Sequence, residues 1–289
     1  MIRIPEDAGP LPVGELMRRL KISLTLRRKL KRTAGAVLIN GQPADWRQTI
    51  HPGDSVVIRW PGECNIPPLP LPLDIVYEDE FLLVADKPAG LLVHPTGDPA
   101  EPTLANAVVH HYRLHGVHCG FHPAHRLDRN TSGLVLIAKN PHIQHLLFAG
   151  GGKNLSRVYL ALVAGSPSPA AGVIDAPIGR HPASIIQRIV RPDGKLAVTF
   201  YETLRNLGEY SLVRLRLATG RTHQLRVHLA HIGHPILGDD LYGGPTLPIQ
   251  RQALHAAELV FPHPVTHETL SLASPLPQDM AGLIGKAAI

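Results

Sequence analysis

The amino-acid sequence predicts an α+β protein, in which a mixed, largely antiparallel sheet with flanking helices follows a small basic module. Apolar runs of strand length beyond residue 74 alternate with helical patterns, without the regular βαβ repeat of a parallel sheet. The net charge of +6 lies entirely in residues 1–60, which contain eleven Lys/Arg and five Asp/Glu, whereas the remainder contains 18 of each. A proline-rich stretch, residues 61–73, separates the two parts.

Residues 1–60 predict two short helices followed by a small sheet. Leu16 and Leu20 share one helical face, Leu26 and Leu30 share another, and Ser23 is in position to cap the second helix. A strand, a hairpin turn and a closing strand are predicted at residues 36–39, 40–41 and 55–58. This order resembles the RNA-binding fold named for a ribosomal small-subunit protein, often called the alpha-L motif.

The basic residues of this module form a block without an acid between residues 18 and 32. A basic cluster attached to a neutral chain favours a polyanionic partner, and we expect the second helix to contact RNA phosphates. The residues expected to do so are Arg27, Arg28, Lys29, Lys31 and Arg32. The alternative is a solvated basic face without a partner.

Residues 61–73 contain five prolines in thirteen positions. This composition favours an extended connector over a packed helix or strand. We therefore predict a small basic RNA-binding domain at residues 1–60, a linker at 61–73 and a larger domain at 74–289.

The composition also limits the class of protein. No run approaches the 18 apolar residues of a membrane span, and the first residues lack the pattern of a signal peptide. Cys64 and Cys119 are too few for a disulfide framework and lack the CxxC spacing of a structural metal site. We therefore expect a soluble, cytoplasmic protein that does not bind membranes.

Strands and one helix can be predicted in the larger part. Residues 212–217 alternate, so Arg214 and Arg216 are expected on the exposed face of a strand. Residues 222–232 predict a helix with Leu225 on its apolar stripe and a stop at Gly233. Three further apolar runs have the length of buried strands: residues 81–85, 134–138 and 158–163.

Asp128 lies between two arginines, Arg126 and Arg129, in the run HRLDRNTSGL. Residues 130–133 favour a turn and a strand-like run follows, so we expect Asp128 on a loop anchored to a sheet. An isolated acid in a turn is usually structural, and the simplest interpretation is an Asx-type turn with two solvated arginines. The function of Asp128 therefore depends on other segments of the chain.

Four ordered segments resemble the pseudouridine synthases of the RluA type, and the resemblance covers roughly residues 74–275. They are residues 86–95 (DKPAGLLVHP), 125–134 (HRLDRNTSGL), 157–163 (RVYLALV) and 220–239, with two shorter matches at residues 254–256 and 263–264. The resemblance makes residues 74–289 a catalytic domain. It implies that uridine in RNA is isomerised to pseudouridine, with the base rejoined through its carbon 5 and without a cofactor.

The resemblance assigns the chemistry to Asp128, Tyr159 and Arg226. A carboxylate acts as a nucleophile or a base only while it is ionised, and a nearby guanidinium favours that form. The resemblance assigns this guanidinium to Arg226, while Arg221 remains a competing partner because spacing alone cannot rank the two. Tyr159 would stack on the target base and is a candidate proton acceptor.

Four further residues are expected to bind the substrate: Arg126, Leu225, Arg221 and His94. By resemblance, Arg126 enters the space left by the flipped nucleotide, which offsets part of the cost of unstacking. Leu225 would pack beneath the base, and His94 is the next-to-last residue of the first matching segment. We expect the partner to be ribosomal or transfer RNA, and the enzyme to work as a monomer.

Eighteen histidines raise a competing hypothesis, a zinc-dependent hydrolase. They crowd two regions, at residues 110, 111, 115, 118, 122 and 125, and at residues 223, 228, 231 and 234. No HExxH motif is present and few acids lie near either region, so we expect no metal. A third hypothesis is a non-catalytic RNA-binding protein, but binding alone does not require Asp128, Tyr159 and Arg226 together.

Overall fold

The computed structural model describes residues 1–60, 65–96, 101–117, 120–149 and 154–286. Residues 61–64 of the predicted linker lie outside these ranges, as do His118, Cys64 and Cys119. Within the described ranges, no helix has both the length and the apolar character needed to cross a bilayer.

The first sixty residues form two helices and six short strands. The helices are α1 (Val13–Arg19) and α2 (Leu24–Arg32). The strands are β1 (Ile2–Arg3), β2 (Leu11–Pro12), β3 (Val37–Ile39), β4 (Gln42–Pro43), β5 (Thr49–Ile50) and β6 (Ser55–Ile58).

The remaining described residues form four helices and twelve strands. The helices are α3 (Leu104–Leu114), α4 (Pro141–Phe148), α5 (Gln224–His231) and α6 (Gln278–Lys286). The strands are β7 (Asp74–Glu78), β8 (Leu82–Lys87), β9 (His122–Pro123), β10 (Ser132–Ala138), β11 (Ser156–Ala164), β12 (Ala171–Asp175), β13 (Ile178–Arg180), β14 (Arg188–Val190), β15 (Val198–Asn206), β16 (Tyr210–Leu217), β17 (Leu254–Pro262) and β18 (Thr269–Ala273).

The N-terminal part follows the elements predicted from its sequence. The side-chain oxygen of Ser23 accepts a hydrogen bond from the backbone N–H of Leu26 at 3.3 Å, which confirms the predicted cap of α2. Asn40 and Gly41 have φ angles of 48° and 82° between β3 and β4. A tight hairpin turn needs positive φ at both central residues, so the Asn-Gly prediction is also confirmed.

The first sixty residues have a hydrophobic core of their own. Its buried side chains all lie between residues 4 and 56, and Met17, Ile50 and Val56 are fully buried within it. Two helices and a small sheet therefore enclose an apolar cluster that is separate from the cores of the larger part.

The larger part is built on a ten-stranded sheet. Its strand order is β12-β15-β16-β11-β17-β10-β8-β7, with β18 paired to β17 and β9 paired to β10. Strands β10 and β17 are parallel, whereas the other neighbouring strands of this sheet are antiparallel. This is the mixed, largely antiparallel sheet that the sequence predicts.

Both faces of the central strands are covered. On β10, Val135 and Ile137 face the core that contains side chains of α3, α5 and α6, while Leu134 and Leu136 face the core that contains Ile143 of α4. Continuous apolar runs are expected where a strand is buried on both faces, which explains why this run does not alternate. On β16 the predicted alternation is present, since Arg214 and Arg216 are exposed between buried neighbours.

The turn predicted at residues 130–133 is wrong in its second half. Ser132 and Gly133 already belong to β10, where Gly133 pairs with Lys87 of β8 and with Ala256 of β17. A Cβ atom at Gly133 would lie 2.3 Å from the carbonyl oxygen of Ala256. Glycine is thus required here by the close approach of two parallel strands, not by a turn.

Candidate active site

Asp128 lies on the loop between β9 and β10, as its sequence neighbourhood predicts. The backbone N–H of Ala124 donates to the carbonyl oxygen of Leu136 at 2.7 Å, and the Nε2 of His125 accepts from the backbone N–H of Leu136 at 3.2 Å. Burial lowers the pKa of His125 to about 3, so its ring stays neutral and can accept this bond. The loop is therefore attached to β10 just before the acid, whose side chain is 29% exposed.

The backbone carbonyl groups that follow the acid are bound by donors from elsewhere in the chain. The Nζ of Lys87 and the backbone N–H of Gly90 donate to the carbonyl oxygen of Arg129 at 2.9 and 3.0 Å. The guanidinium of Arg251 donates to the carbonyl oxygen of Asn130 at 3.2 Å. Since both ends of the loop are fixed, the carboxylate has a defined position.

The start of α5 is fixed by the buried side chain of Gln224. Its amide oxygen accepts from the backbone N–H of Arg221 at 2.9 Å and from the hydroxyl of Thr219 at 2.8 Å. Its amide nitrogen donates to the carbonyl oxygen of Val198 at 3.0 Å. These bonds attach the first residues of α5 to β15. The backbone at Arg226, two positions after Gln224, is therefore held in place.

Arg226 lies between two carboxylates. Its Nη1 is 3.1 Å from the Oδ2 of Asp128, and its Nε and Nη2 each lie 2.7 Å from an oxygen of Asp239. Asp239 is fully buried, and the ring of Tyr242 lies 5.0 Å from the guanidinium carbon. Burial by itself lowers the pKa of Arg226, but Asp239 and Asp128 together raise it above its usual value. The cation is therefore permanent and is aimed at Asp128.

Arg226, not Arg221, lies within hydrogen-bond distance of Asp128. Arg221 is exposed, and its Nε donates to the carbonyl oxygen of Leu196 at 2.9 Å. The choice that spacing left open thus depends on the loop before α5, which turns the two arginines in different directions.

His223 is the second side chain, after Arg226, that lies beside Asp128. Its Nε2 lies 3.9 Å from the Oδ2 of Asp128, and its Nδ1 is 2.8 Å from the hydroxyl of Tyr242. Its φ angle is +56°, a left-handed conformation that few residues other than glycine adopt. Burial lowers the pKa of His223, with the charge of Arg226 acting in the same direction and that of Asp128 opposing it.

Tyr159 and Leu225 belong to the core cluster that also contains Leu127, which is next to the acid. Tyr159 is 4% exposed, and its hydroxyl has no hydrogen-bond partner among the described residues. Burial raises the pKa of Tyr159, and the charge of Asp128 adds to this effect. The phenol is therefore protonated near neutral pH, which favours a stacking or donating role over that of a base.

The remaining predicted substrate residues, Arg126 and His94, have few contacts that hold their side chains in place. Arg126 is exposed and forms no ion pair with the described residues, whereas Arg129 pairs with Glu101 at 2.5 Å. His94 is exposed, and its ring centroid is 6.0 Å from that of Phe121. Both arginines beside the acid are thus exposed, as the simplest interpretation of the sequence expects, and Arg129 also has an ion pair with Glu101.

The two histidine-rich regions have other partners. His111 lies on α3 with its Nε2 2.8 Å from a carboxylate oxygen of Glu78, and His228 bonds Thr199 and the carbonyl oxygen of Ala176, each at 2.9 Å. In the part of the chain that the structure describes, no group of three or more His, Cys, Asp or Glu residues could hold a metal ion.

The basic residues of α2 contrast with this paired centre. Arg28, Lys29, Lys31 and Arg32 are exposed, and none forms an ion pair with a described residue. Arg27 is half-buried, and its Nε has no hydrogen-bond partner in the part of the chain that the structure describes.

Sequence reasoning missed Asp239, Tyr242 and His223. All three lie in or just after the fourth matching segment, but only Arg221, Leu225 and Arg226 received roles there. The sequence did contain one indication of Asp239. Arg221 and Arg226 were both candidate partners of Asp128, and Asp239 is a second carboxylate in the same segment that one of them could bind. The left-handed backbone of His223 and the position of Tyr242 have no signal in the sequence.

Comparisons with known proteins agree on one family. A family model described as RNA pseudouridylate synthase matches residues 81–231. The chain is 42% identical over 280 residues to the uncharacterized RNA pseudouridine synthase YjbO of Bacillus subtilis (strain 168), covering 95% of this chain and 98% of that protein. It is 38% identical over 266 residues to the ribosomal large subunit pseudouridine synthase D of Escherichia coli (strain K12), covering 86% and 81%.

A solved structure gives the same result. The human RNA pseudouridylate synthase domain containing 4 protein superposes with a TM-score of 0.62 at 26% identity, covering 74% of this chain and 93% of that one.

Proposed function

The chain belongs to the RNA pseudouridine synthase family, and on this basis we propose that Asp128, held by Arg226, is its catalytic residue. As a member it is an isomerase that converts uridine in RNA to pseudouridine. The observation that carries the proposal is the 3.1 Å contact between Asp128 and a guanidinium that Asp239 already holds at two points. A guanidinium at this distance can stabilise the charged form of a carboxylate, which is the form that acts as a nucleophile or base.

Tyr159 and Leu225 are the proposed walls of the pocket for the base. The phenol ring of Tyr159 would stack on the flipped uracil, and its unpartnered hydroxyl can bind a polar group of the nucleotide. Leu225 would pack on the other side. Arg126, exposed and unpaired, would enter the RNA stack in place of the flipped nucleotide, while Arg221 and His94 would contact the RNA around it.

The N-terminal part is the proposed RNA-binding domain, residues 1–60, joined by the linker of residues 61–73 to the catalytic domain of residues 74–289. Its separate core and the unpaired cations of α2 support this division. Phosphate contacts would add affinity without base specificity.

The proposed substrate is ribosomal RNA, with transfer RNA as the second candidate. The relative named as a ribosomal large subunit synthase favours the former. We further propose that a single chain suffices and that no cofactor takes part. Mapping pseudouridines in total RNA from cells with and without the protein identifies the modified positions. Conversion that persists in a chelator argues against the zinc alternative.

The test of the catalytic assignment is Asp128→Asn. This variant keeps the volume of the side chain but removes its charge, so we expect it to bind RNA and to convert no uridine in a single-turnover assay. Asp74→Asn is the control, because Asp74 is exposed and should be dispensable. Equal conversion by Asp128→Asn and the unmodified protein would exclude Asp128 as the catalytic residue.

A further inference from the structure

The Nδ1 of His223 has the hydroxyl of Tyr242 as its hydrogen-bond partner, and this contact favours one position of the ring proton. The hydroxyl of Tyr242 accepts from the backbone N–H of Arg188 at 3.0 Å and lies 2.8 Å from the Nδ1 of His223. Since the phenol oxygen already accepts one bond, its own hydrogen is free to be donated to Nδ1. The remaining proton of the neutral ring is then on Nε2, the nitrogen that faces Asp128.

In this tautomer the Nε2 is a donor that has no acceptor within hydrogen-bond distance among the described residues. Its distance of 3.9 Å from the Oδ2 of Asp128 is too long for a hydrogen bond. An atom placed between the two groups, however, could lie about 3 Å from each of them, which is the geometry expected where a reacting group sits.

The backbone of His223 supports a functional reading. The residue precedes α5 with a φ of 56° and a ψ of 19°, although its side chain does not cap the helix. Glycine or asparagine adopts this conformation more readily. The carbonyl oxygen of His223 accepts the first hydrogen bond of α5, from the backbone N–H of Val227 at 2.9 Å, so this conformation holds the side chain at the start of the helix, where its Nε2 faces Asp128.

We propose that the Nε2–H of His223 donates a hydrogen bond to a carbonyl oxygen of the target uracil while the base is detached. When the bond between N1 and C1′ breaks, the electron pair stays with the ring, and the negative charge is shared with the carbonyl oxygens. The carboxylate of Asp128 stabilises or captures the electron-deficient C1′ until the new bond forms from C5 to C1′. C5 then loses one proton and N1 gains one, so the product has the same atoms and charge as uridine. His223 transfers no proton in this sequence but stabilises the charged ring, as a preorganised donor does.

This inference rests on the proposed role of Asp128 and adds a polar contact to the target base, beside the proposed packing of Tyr159 and Leu225. It also gives Tyr242 a role as a positioning residue, since its hydroxyl keeps the proton of His223 on the nitrogen that faces the substrate.

Three substitutions of His223 separate a donor from a structural residue. His223→Gly and His223→Asn suit the left-handed backbone but place no donor at the Nε2 position, so we expect unchanged or higher thermal stability. We expect kcat to fall about 10²-fold, with KM changed only a few-fold, as for the loss of one such donor. His223→Gln can place its amide nitrogen near the former Nε2 and should retain more activity than His223→Asn.

Two controls complete the experiment. His231→Gln changes an exposed histidine of the same helix and should leave kcat unchanged. Tyr242→Phe keeps the ring beside Arg226 but removes the hydroxyl, so it should lower kcat by less than His223→Asn.

Two results would overturn the inference. One is full activity of His223→Asn. The other is that His223→Asn and His223→Gln lose activity to the same extent and both unfold at a lower temperature. That result would make His223 a structural residue. Asp128→Asn, measured alongside, separates the two proposals, because its failure to abolish conversion would remove the catalytic assignment itself.

Discussion

The cations of α2 and the cation of the active site differ in what surrounds them. Lys31 and Arg32 are exposed and have no ion pair among the described residues, whereas Arg226 is 6% exposed and contacts two carboxylates. An exposed cation keeps its hydration and can replace the counterions of an RNA phosphate. A buried guanidinium has lost its hydration, so it depends on its partners and keeps one geometry.

Similar side chains should therefore affect different quantities. Changes in α2 should alter RNA affinity and its dependence on salt, while changes around Arg226 should alter the rate of conversion and the stability of the fold. Three experiments test this difference, and the one with the largest expected effect comes first.

Asp239→Asn should have the largest effect of the three. It leaves a buried guanidinium with one carboxylate partner in place of two, and loss of a partner from a buried pair costs about 3–5 kcal/mol of unfolding free energy. Because Arg226 would no longer be held at two points, we expect the single-turnover rate to fall about 10²-fold or more. Chemical denaturation and uridine conversion measure the two effects.

The control for this substitution is the neighbouring acid. Asp240 is exposed, and Asp240→Asn should change neither quantity. If Asp239→Asn kept the full rate, Arg226 would not need the carboxylate of Asp239 to contact Asp128. The difference between the paired Arg226 and the exposed cations of α2 would then be weaker than the structure indicates.

Two double substitutions compare α2 with α1. Lys31→Gln with Arg32→Gln removes two unpaired cations, whereas Arg18→Gln with Arg19→Gln removes two that contact Glu15 at 2.9 and 3.4 Å. Each pair lowers the net charge equally. Each lost phosphate contact should reduce the slope of log K against log salt by roughly 0.7 to 0.9.

We expect the α2 pair to produce this change and the α1 pair to produce less. Conversion at saturating RNA should be the same for both. RNA binding titrated at several salt concentrations measures the slopes. Equal slopes would mean that total charge, not the unpaired face of α2, governs affinity.

The sequence predicted best those features that neighbouring residues determine. The cap at Ser23, the hairpin at Asn40 and Gly41 and the alternation of β16 each follow from local propensity. The resemblance added Asp128 and Arg226, which lie 98 positions apart and which no local rule connects.

The features of the site that the sequence did not predict arise from contacts between distant segments. Asp239 reaches Arg226 because the chain folds tightly around Gly238, where a Cβ atom would lie 1.9 Å from the carbonyl oxygen of Arg251. His223 gains its conformation from the loop that Gln224 attaches to β15. In both cases a residue becomes part of the site only once the surrounding backbone is packed.

Ser23→Ala should have the smallest effect, and it tests whether the two regions are energetically separate. Loss of an N-cap costs about 1 kcal/mol, and the first sixty residues have their own core, so we expect faster hydrogen exchange in α2 and no change around Asp128. Thr25→Ala, an exposed substitution on the same helix, is the matched control. Faster exchange around Asp128 as well would show that the two regions open together. In that case the stacking of Trp60 on His142, with ring centroids 5.3 Å apart, would be the contact to remove next.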